Sequence, residues 1–275
     1  MTLHQTLQTT TERLKHVTDR PRLEAEILLA SSLNVDRSFL LLHADEELKD
    51  TKGFEAWIER RANHEPVEYI TGRVSFYDIE LYIAPGALIP RPETEILVEK
   101  AAEVIRAQGL TRIAEIGVGS GAVSVVLARM FPRLRIVASD ISEDALAVAR
   151  RNVDSFGLED RIALRHMSLL DGIEESVQMI VSNPPYVARD AELAPNVVDY
   201  EPHTALFAEE QGDALLREII ALAADRGIGY VACEMGYDQR ERISAFVKQL
   251  GVYSVDFYTD LADLDRGFVL ESNKK

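Results

Sequence analysis

From residue 92 to residue 250 the chain alternates between two hydrophobic periods. Helical spacing over 92–107 gives way to the β-branched run "RIAEIG" and then to the helical "GSGAVSVVLARM". The pattern continues through "LRIVASD", "SEDALAVARRNVDSFG", "RIALRHM" and "VQMIVS". After a long loop, helices are expected over 212–225 and 238–250, on either side of the strand "IGYVACEM". A strand that returns through a helix runs parallel to its predecessor, and a parallel sheet needs helices on both faces. The closing strands "VYSVDFY" and "GFVLES" have no helix between them, so one of the two is antiparallel. The expected fold class is α/β, a Rossmann-like domain on a mostly parallel seven-stranded sheet.

Upstream the pattern is different. "PRLEAEILLASSL" puts Pro21 at a helix start and spaces Leu23, Ile27, Ala30 and Leu33 along one face. "GFEAWIERRANH" repeats that spacing with Phe54, Trp57, Ile58 and Arg61. Residues 67–84 turn towards alternation and read as a β-hairpin. The expected organisation is a small helical domain over 1–65, a hairpin linker over 66–90 and the α/β domain over 91–275. In "PRPETE", Pro92 suits the first turn of a helix, with Glu93 and Glu95 complementing its dipole.

Composition narrows the function classes. No apolar run approaches the roughly 20 residues of a membrane span, and the N-terminus does not read as a signal peptide. The single cysteine, Cys233, suits a reducing cytoplasm, and the six scattered histidines show no ligand spacing, so no metal site is expected. The formal net charge of −16 repels phosphate backbones. No stable nucleic-acid partner is expected, and a monomer is favoured. The acidic run "ADEELKD" (44–50) reads as a solvated surface, and His203 and Cys233 as structural.

"EIGVGSGA" places Gly117, Val118, Gly119, Ser120 and Gly121 between the first strand of the sheet and its helix. Glycines there let backbone approach a ligand at the carboxyl edge of the sheet. Asp140 ends the next strand, where its carboxylate can accept ribose hydroxyls. By itself this also fits a dinucleotide-dependent oxidoreductase, since Gly117, Gly119 and Ala122 satisfy the looser G-x-G-x-x-G/A pattern. "SNPPYV" (182–187), at the end of the fourth strand, separates the two. A dehydrogenase has no use for Asn-Pro-Pro-Tyr there, whereas S-adenosylmethionine-dependent methyltransferases place their substrate chemistry at that edge.

The chemistry accounts for the odd tetrapeptide. A planar NH2 group is a poor nucleophile because its lone pair is delocalised. Accepting both N–H hydrogens lets the nitrogen pyramidalise towards a methyl donor. The Asn183 carboxamide oxygen is one acceptor and the Pro184 carbonyl the other. Pro184 and Pro185 fix the direction of that carbonyl, and Tyr186 can pack on the flat face of the target. Adenine N6, cytosine N4, guanine N2 and the glutamine amide all qualify.

Four longer stretches narrow the choice: "HEPVEYITGRVSFY" (64–77), "LIPRPETEILVE" (88–99), "SNPPYV" and "YEPHTALFAEEQG" (200–212). With them the chain resembles, over essentially its whole length, the N(5)-glutamine methyltransferases of peptide chain release factors. The resemblance implies S-adenosyl-L-methionine as cofactor. It implies as substrate the glutamine of the Gly-Gly-Gln loop of class I release factors, acting in the cytoplasm. It puts Gly117, Val118, Gly119, Ser120, Gly121, Asp140, Ser168 and Asn183 at the cofactor, and Asn183, Pro184, Pro185 and Tyr186 at substrate and catalysis. The alternative is a nucleic-acid amino-methyltransferase acting on adenine N6 or guanine N2. Three departures from the family pattern stand out. Glu115-Ile116-Gly117 replaces Asp-Leu-Gly. Met167 and Ser168 stand where an adenine-binding acid is common, which leaves adenine to backbone or packing. "DRGIGY" replaces a Pro-Gly-Gly turn.

Overall fold

The computed structural model describes residues 1–48, 52–188, 191, 193–208 and 212–273. Parts of two stretches singled out above, residues 49–50 and 209–211, lie outside the described residues. The chain forms two compact units, one of Met1–Arg73 with Leu193–Tyr200 and one of Val74–Glu192 with Glu201–Lys275.

The first unit is helical: α1 (Leu3–Leu14), α2 (Pro21–Leu33), α3 (Arg37–Leu42), α4 (Lys52–Ala62) and α5 (Val67–Thr71). Leu7, Leu14, Leu28, Leu29, Leu40 and Ile58 are fully buried in its core. The expected face of α2 is displaced. Ala25, Leu28 and Leu29 are buried together with the expected Ala30, whereas Leu23, Ile27 and Leu33 are only partly so. The helix carries apolar residues on more than one side, and an ion pair lies on the face that is buried. Glu24 is buried on it and accepts from Arg61 of α4 at 2.6 Å. The expected hairpin is also shorter than 67–84. Residues 67–71 are helical because Val67 and Ile70 are buried in this core, a packing demand that overrides β-propensity. Gly72, at φ +71°, ends α5.

The short hairpin β1 (Arg73–Phe76) and β2 (Ile79–Tyr82) follows, and then α6 (Thr94–Gln108). Helix α6 starts two residues after Pro92, not at it. Thr94, Glu95 and Ile96 donate to the carbonyls of Arg91, Pro92 and Glu93, a tight i→i+3 winding that precedes the helix. Glu95, in the first turn of the helix, accepts the Tyr77 N–H at 2.7 Å.

The sheet consists of β3 (Arg112–Ile116), β4 (Arg135–Asp140), β5 (Ile162–His166), β6 (Met179–Ser182), β7 (Tyr230–Glu234), β8 (Tyr253–Thr259) and β9 (Asp265–Ser272). The connecting helices are α7 (Ala122–Met130), α8 (Glu143–Ser155), the single turns α9 (Pro195–Val198) and α10 (His203–Leu206), α11 (Ala214–Asp225) and α12 (Arg240–Leu250). Strand order is β5-β4-β3-β6-β7-β9-β8. All neighbours are parallel except β9, which runs antiparallel between β7 and β8. Seven strands, mostly parallel, with one antiparallel closing strand is the architecture expected above. The order reverses between β3 and β6, and there the carboxyl ends of the strands open a crevice.

Candidate active site

A cavity of about 210 Å³ opens at that reversal, within the second unit. Three strand ends supply its polar wall: residues 115–120 at and beyond the end of β3, Asp140 as the last residue of β4, and Asn183 just after β6.

The glycine loop leaves β3 with Gly117 at φ +73° and Gly119 at φ +53°, and a Cβ on either would point into open space. The backbone therefore lies flush with the cavity, with no side chain in the way. Gly117 and Val118 both donate to the Ser139 carbonyl, at 2.8 and 2.9 Å. Asp140 fastens the loop further. Its Oδ2 accepts the Gly119 N–H and its Oδ1 accepts the Ser142 N–H, each at 2.9 Å. A carboxylate offers about four acceptor positions, so capacity for two hydroxyl donors remains. Ser120 is held from behind by Asn152, whose amide donates to the Ser120 and Tyr82 carbonyls. Gly121 is not part of the cavity wall; it packs against Ala149 of α8.

Glu115 lies on the cavity floor, 3% exposed, and accepts the Ser124 hydroxyl. Burial, reinforced by the nearby charge of Asp140 and opposed by the Ser124 bond, pushes its carboxyl up to about 8. Met167, Ser168 and Leu169 also line the cavity, as does Ile141, which is 62% exposed.

The Asn-Pro-Pro-Tyr turn is divided. Asn183 and Pro185 reach the cavity wall; Pro184 and Tyr186 are not among its lining residues. Tyr186 is held at both ends of the residue. Its hydroxyl donates to Glu234 Oε1 at 2.9 Å, and its carbonyl accepts from Gln239 at 3.3 Å. Asn183 Nδ2 donates to Thr94 Oγ1 at 3.0 Å, and Thr94 donates to Glu234 Oε2 at 2.7 Å. The turn is therefore mounted on the end of β7, where Gln239 also accepts the Gly236 N–H at 3.0 Å.

Thr94, Glu234 and Gln239 went unnoticed in the sequence. The available signal was a lone acid closing the apolar strand "YVACE", with a glycine, Gly236, two residues later. The motifs "PRPETE" and "YEPHTAL" also meet here. Glu201, fully buried at its side chain, accepts the Ile89 N–H at 3.0 Å and pairs with Arg91. Cys233 is buried, and burial raises its thiol well above the ordinary range. His203 packs edge-on against Phe207. Among the described residues no cluster of His, Cys, Asp and Glu could hold a metal ion, and no helix is long and apolar enough to cross a membrane.

Chemically, the cavity combines a backbone cradle, an acid with spare acceptor capacity and a carboxamide on one wall. Comparisons with known proteins agree with that combination. The PrmC N-terminal domain model matches residues 5–72, and the methyltransferase small domain model matches residues 93–201. The release factor glutamine methyltransferase of Koribacter versatilis is 37% identical over 246 residues, covering 86% of this chain and 87% of its own. That of Moorella thermoacetica is 35% identical and covers 98% of both chains. The N-terminal domain of human METTL16, solved in complex with SAH, superposes with a TM-score of 0.53 at 16% identity, over 85% of this chain and 87% of its own. That likeness concerns the fold alone. Matched at both of its domains and along nearly its full length, the chain belongs to the release factor glutamine methyltransferase family.

Proposed function

We propose that this enzyme transfers a methyl group from S-adenosylmethionine to the side-chain amide nitrogen of a release-factor glutamine, the one in the Gly-Gly-Gln loop of class I factors. The supporting observation is that one cavity is lined by the glycine loop, Asp140 and Asn183 together. Its residues fit the cofactor. Gly117 and Gly119 leave room for a close-lying ligand, Asp140 can accept ribose hydroxyls, and Ile141 and Leu169 offer apolar contact to a nucleobase. The cofactor supplies an electrophilic methyl group on a sulfonium.

The chain's own residues supply the rest. Asn183 Oδ1 and the Pro184 carbonyl accept the two N–H hydrogens of the glutamine amide and hold its nitrogen lone pair in one direction. Preorganised acceptors of this kind are worth most in a site that excludes water. The nitrogen is positive after transfer and gives up a proton, so no strong base is required. Ser168 lies against the cofactor, and Pro185 and Tyr186 keep the turn rigid.

We assign the helical residues 1–65 to docking the factor, 66–90 to the linker and 91–275 to the chemistry. Contacts remote from the reacting amide offset the entropy of ordering a loop, so intact protein is a better substrate than an isolated loop peptide. The reading includes a monomer acting in the cytoplasm with no stable nucleic-acid partner. The test is methyl incorporation from labelled S-adenosylmethionine into intact release factor, its loop peptide, a Gln→Glu factor, and DNA or ribosomal RNA. Label should enter the intact factor best and the Gln→Glu factor not at all. Efficient labelling of nucleic acid with none in the factor overturns the reading.

A further inference from the structure

Asn183 can serve as an acceptor only if its carboxamide is the right way round. Turned by 180°, it presents an NH2 group to the substrate NH2, and two donors oppose each other. Nothing in the tetrapeptide itself decides between the two orientations, because the backbone around Asn183 is the same for both.

The residues packed against the turn do decide, and one of them, Thr94, also lines the cavity. Thr94 Oγ1 receives the Asn183 Nδ2 hydrogen, so the threonine proton must point elsewhere, and it points to Glu234 Oε2. The other carboxylate oxygen receives the Tyr186 hydroxyl proton. Tyr186 also faces the guanidinium of Arg266, a donor only, so among the described residues its proton goes to Glu234. Both oxygens of Glu234 thus accept, which is the state of a carboxylate anion. Glu234 is 1% exposed, and Thr94 is also buried.

We propose that Glu234 is a positioning residue: through Thr94 it fixes the Asn183 carboxamide with its oxygen towards the substrate, and through Tyr186 it anchors the same turn. The proposal rests on the reading of Asn183 as amide acceptor. Protonated Glu234 becomes a donor to Thr94. Thr94 then donates to Asn183, and the carboxamide turns its NH2 group outward. Several groups face this carboxyl: Thr94 and Glu93 from the start of α6, Tyr186 from the turn, Arg266 from β9 and Tyr258 from β8. Burial raises its pKa, and the Thr94 and Tyr186 bonds and the Arg266 charge oppose that rise. Turnover should accordingly fall as pH drops through a value above the ordinary carboxylate range.

The test uses the full-length enzyme, intact release factor and saturating S-adenosylmethionine. Thr94→Val keeps the volume but lacks the hydroxyl, and Glu234→Gln keeps the shape but introduces a donor. Each should lower kcat at least about tenfold, with factor KM and cofactor Kd within about threefold of wild type. Thr94→Ser should recover most of what Thr94→Val loses. The double variant should lose no more than the worse single one, because both cut one relay. Wild type should show the acid limb described above, and Glu234→Gln should lack it. Wild-type turnover in Thr94→Val, or an unchanged acid limb in Glu234→Gln, overturns the proposal. If Glu234→Gln fails to bind cofactor, the Thr94→Val and Thr94→Ser pair decides alone. Failure of the underlying function appears separately, as no methylation of the factor by wild type, and removes this proposal with it.

Discussion

Replacing Asp140 tests the cofactor cradle most sharply, because the structure shows what each of its oxygens already does. Oδ2 holds the Gly119 N–H and Oδ1 holds the Ser142 N–H. The remaining acceptor positions are those assigned to the ribose hydroxyls. A hydrogen bond to a charged group contributes about 1.5–3 kcal/mol. Asp140→Ala should therefore weaken S-adenosylmethionine binding by roughly one to two decades. The lost support of Gly119 and Ser142 is partly replaced by water, since Asp140 is only partly buried. Thermal stability should accordingly fall by only about 2–4 °C, the equivalent of about 1 kcal/mol in a domain of this size. Asp140→Asn is the informative companion. Its NH2 group must face one of the two backbone N–H donors, so near-identity of shape should not rescue affinity. Calorimetric titration of the cofactor, beside thermal melts, reads both quantities. A dissociation constant within about twofold of wild type in Asp140→Ala, or full affinity in Asp140→Asn, would refute the reasoning.

Asn183→Ala removes one of two acceptors and should cut single-turnover methyl transfer by about 10²-fold or more, with cofactor affinity much less affected; rates near wild type at saturating cofactor would exclude the assigned role. Gly212 sits at φ +85°, and an added Cβ would lie 2.6 Å from the Tyr186 carbonyl and 2.7 Å from Gln239 Nε2. Gly212→Ala should thus displace the turn and lower kcat beyond any loss of stability, a split read by kinetics beside melting curves. Glu115 has its folded pKa raised from 4.5 to about 8, so its contribution to stability is complete below the unfolded value and is lost as pH rises through the folded one. Glu115→Gln escapes that loss. Its advantage over wild type in denaturant titrations should be absent near pH 4 and grow towards pH 8, by up to about 1.4 kcal/mol per pH unit. A stability difference independent of pH would contradict it.

Local pattern was sufficient for much of this molecule. The alternation of periods determined the βα order and the mostly parallel sheet, because each amphipathic element carries its own hydrophobic face. That the glycine loop, Asp140 and Asn183 share one cavity was legible for a related reason. A strand end, a turn and a chemical group coincide within a few residues, and the topology of a parallel sheet then brings all such ends to one edge. What sequence could not decide was anything set by a distant partner. The buried face of α2 carries Glu24, whose partner Arg61 lies 37 residues away. Val67–Thr71 became helix rather than strand because a core was available to receive Val67 and Ile70. The support of the Asn-Pro-Pro-Tyr turn is the clearest case. Thr94 and Glu234 are 140 residues apart, and neither belongs to a recognisable catalytic pattern. Hydrogen-bond direction is a property of a closed network rather than of any one residue in it. Only when folding brought these side chains together did the orientation of Asn183 acquire a cause.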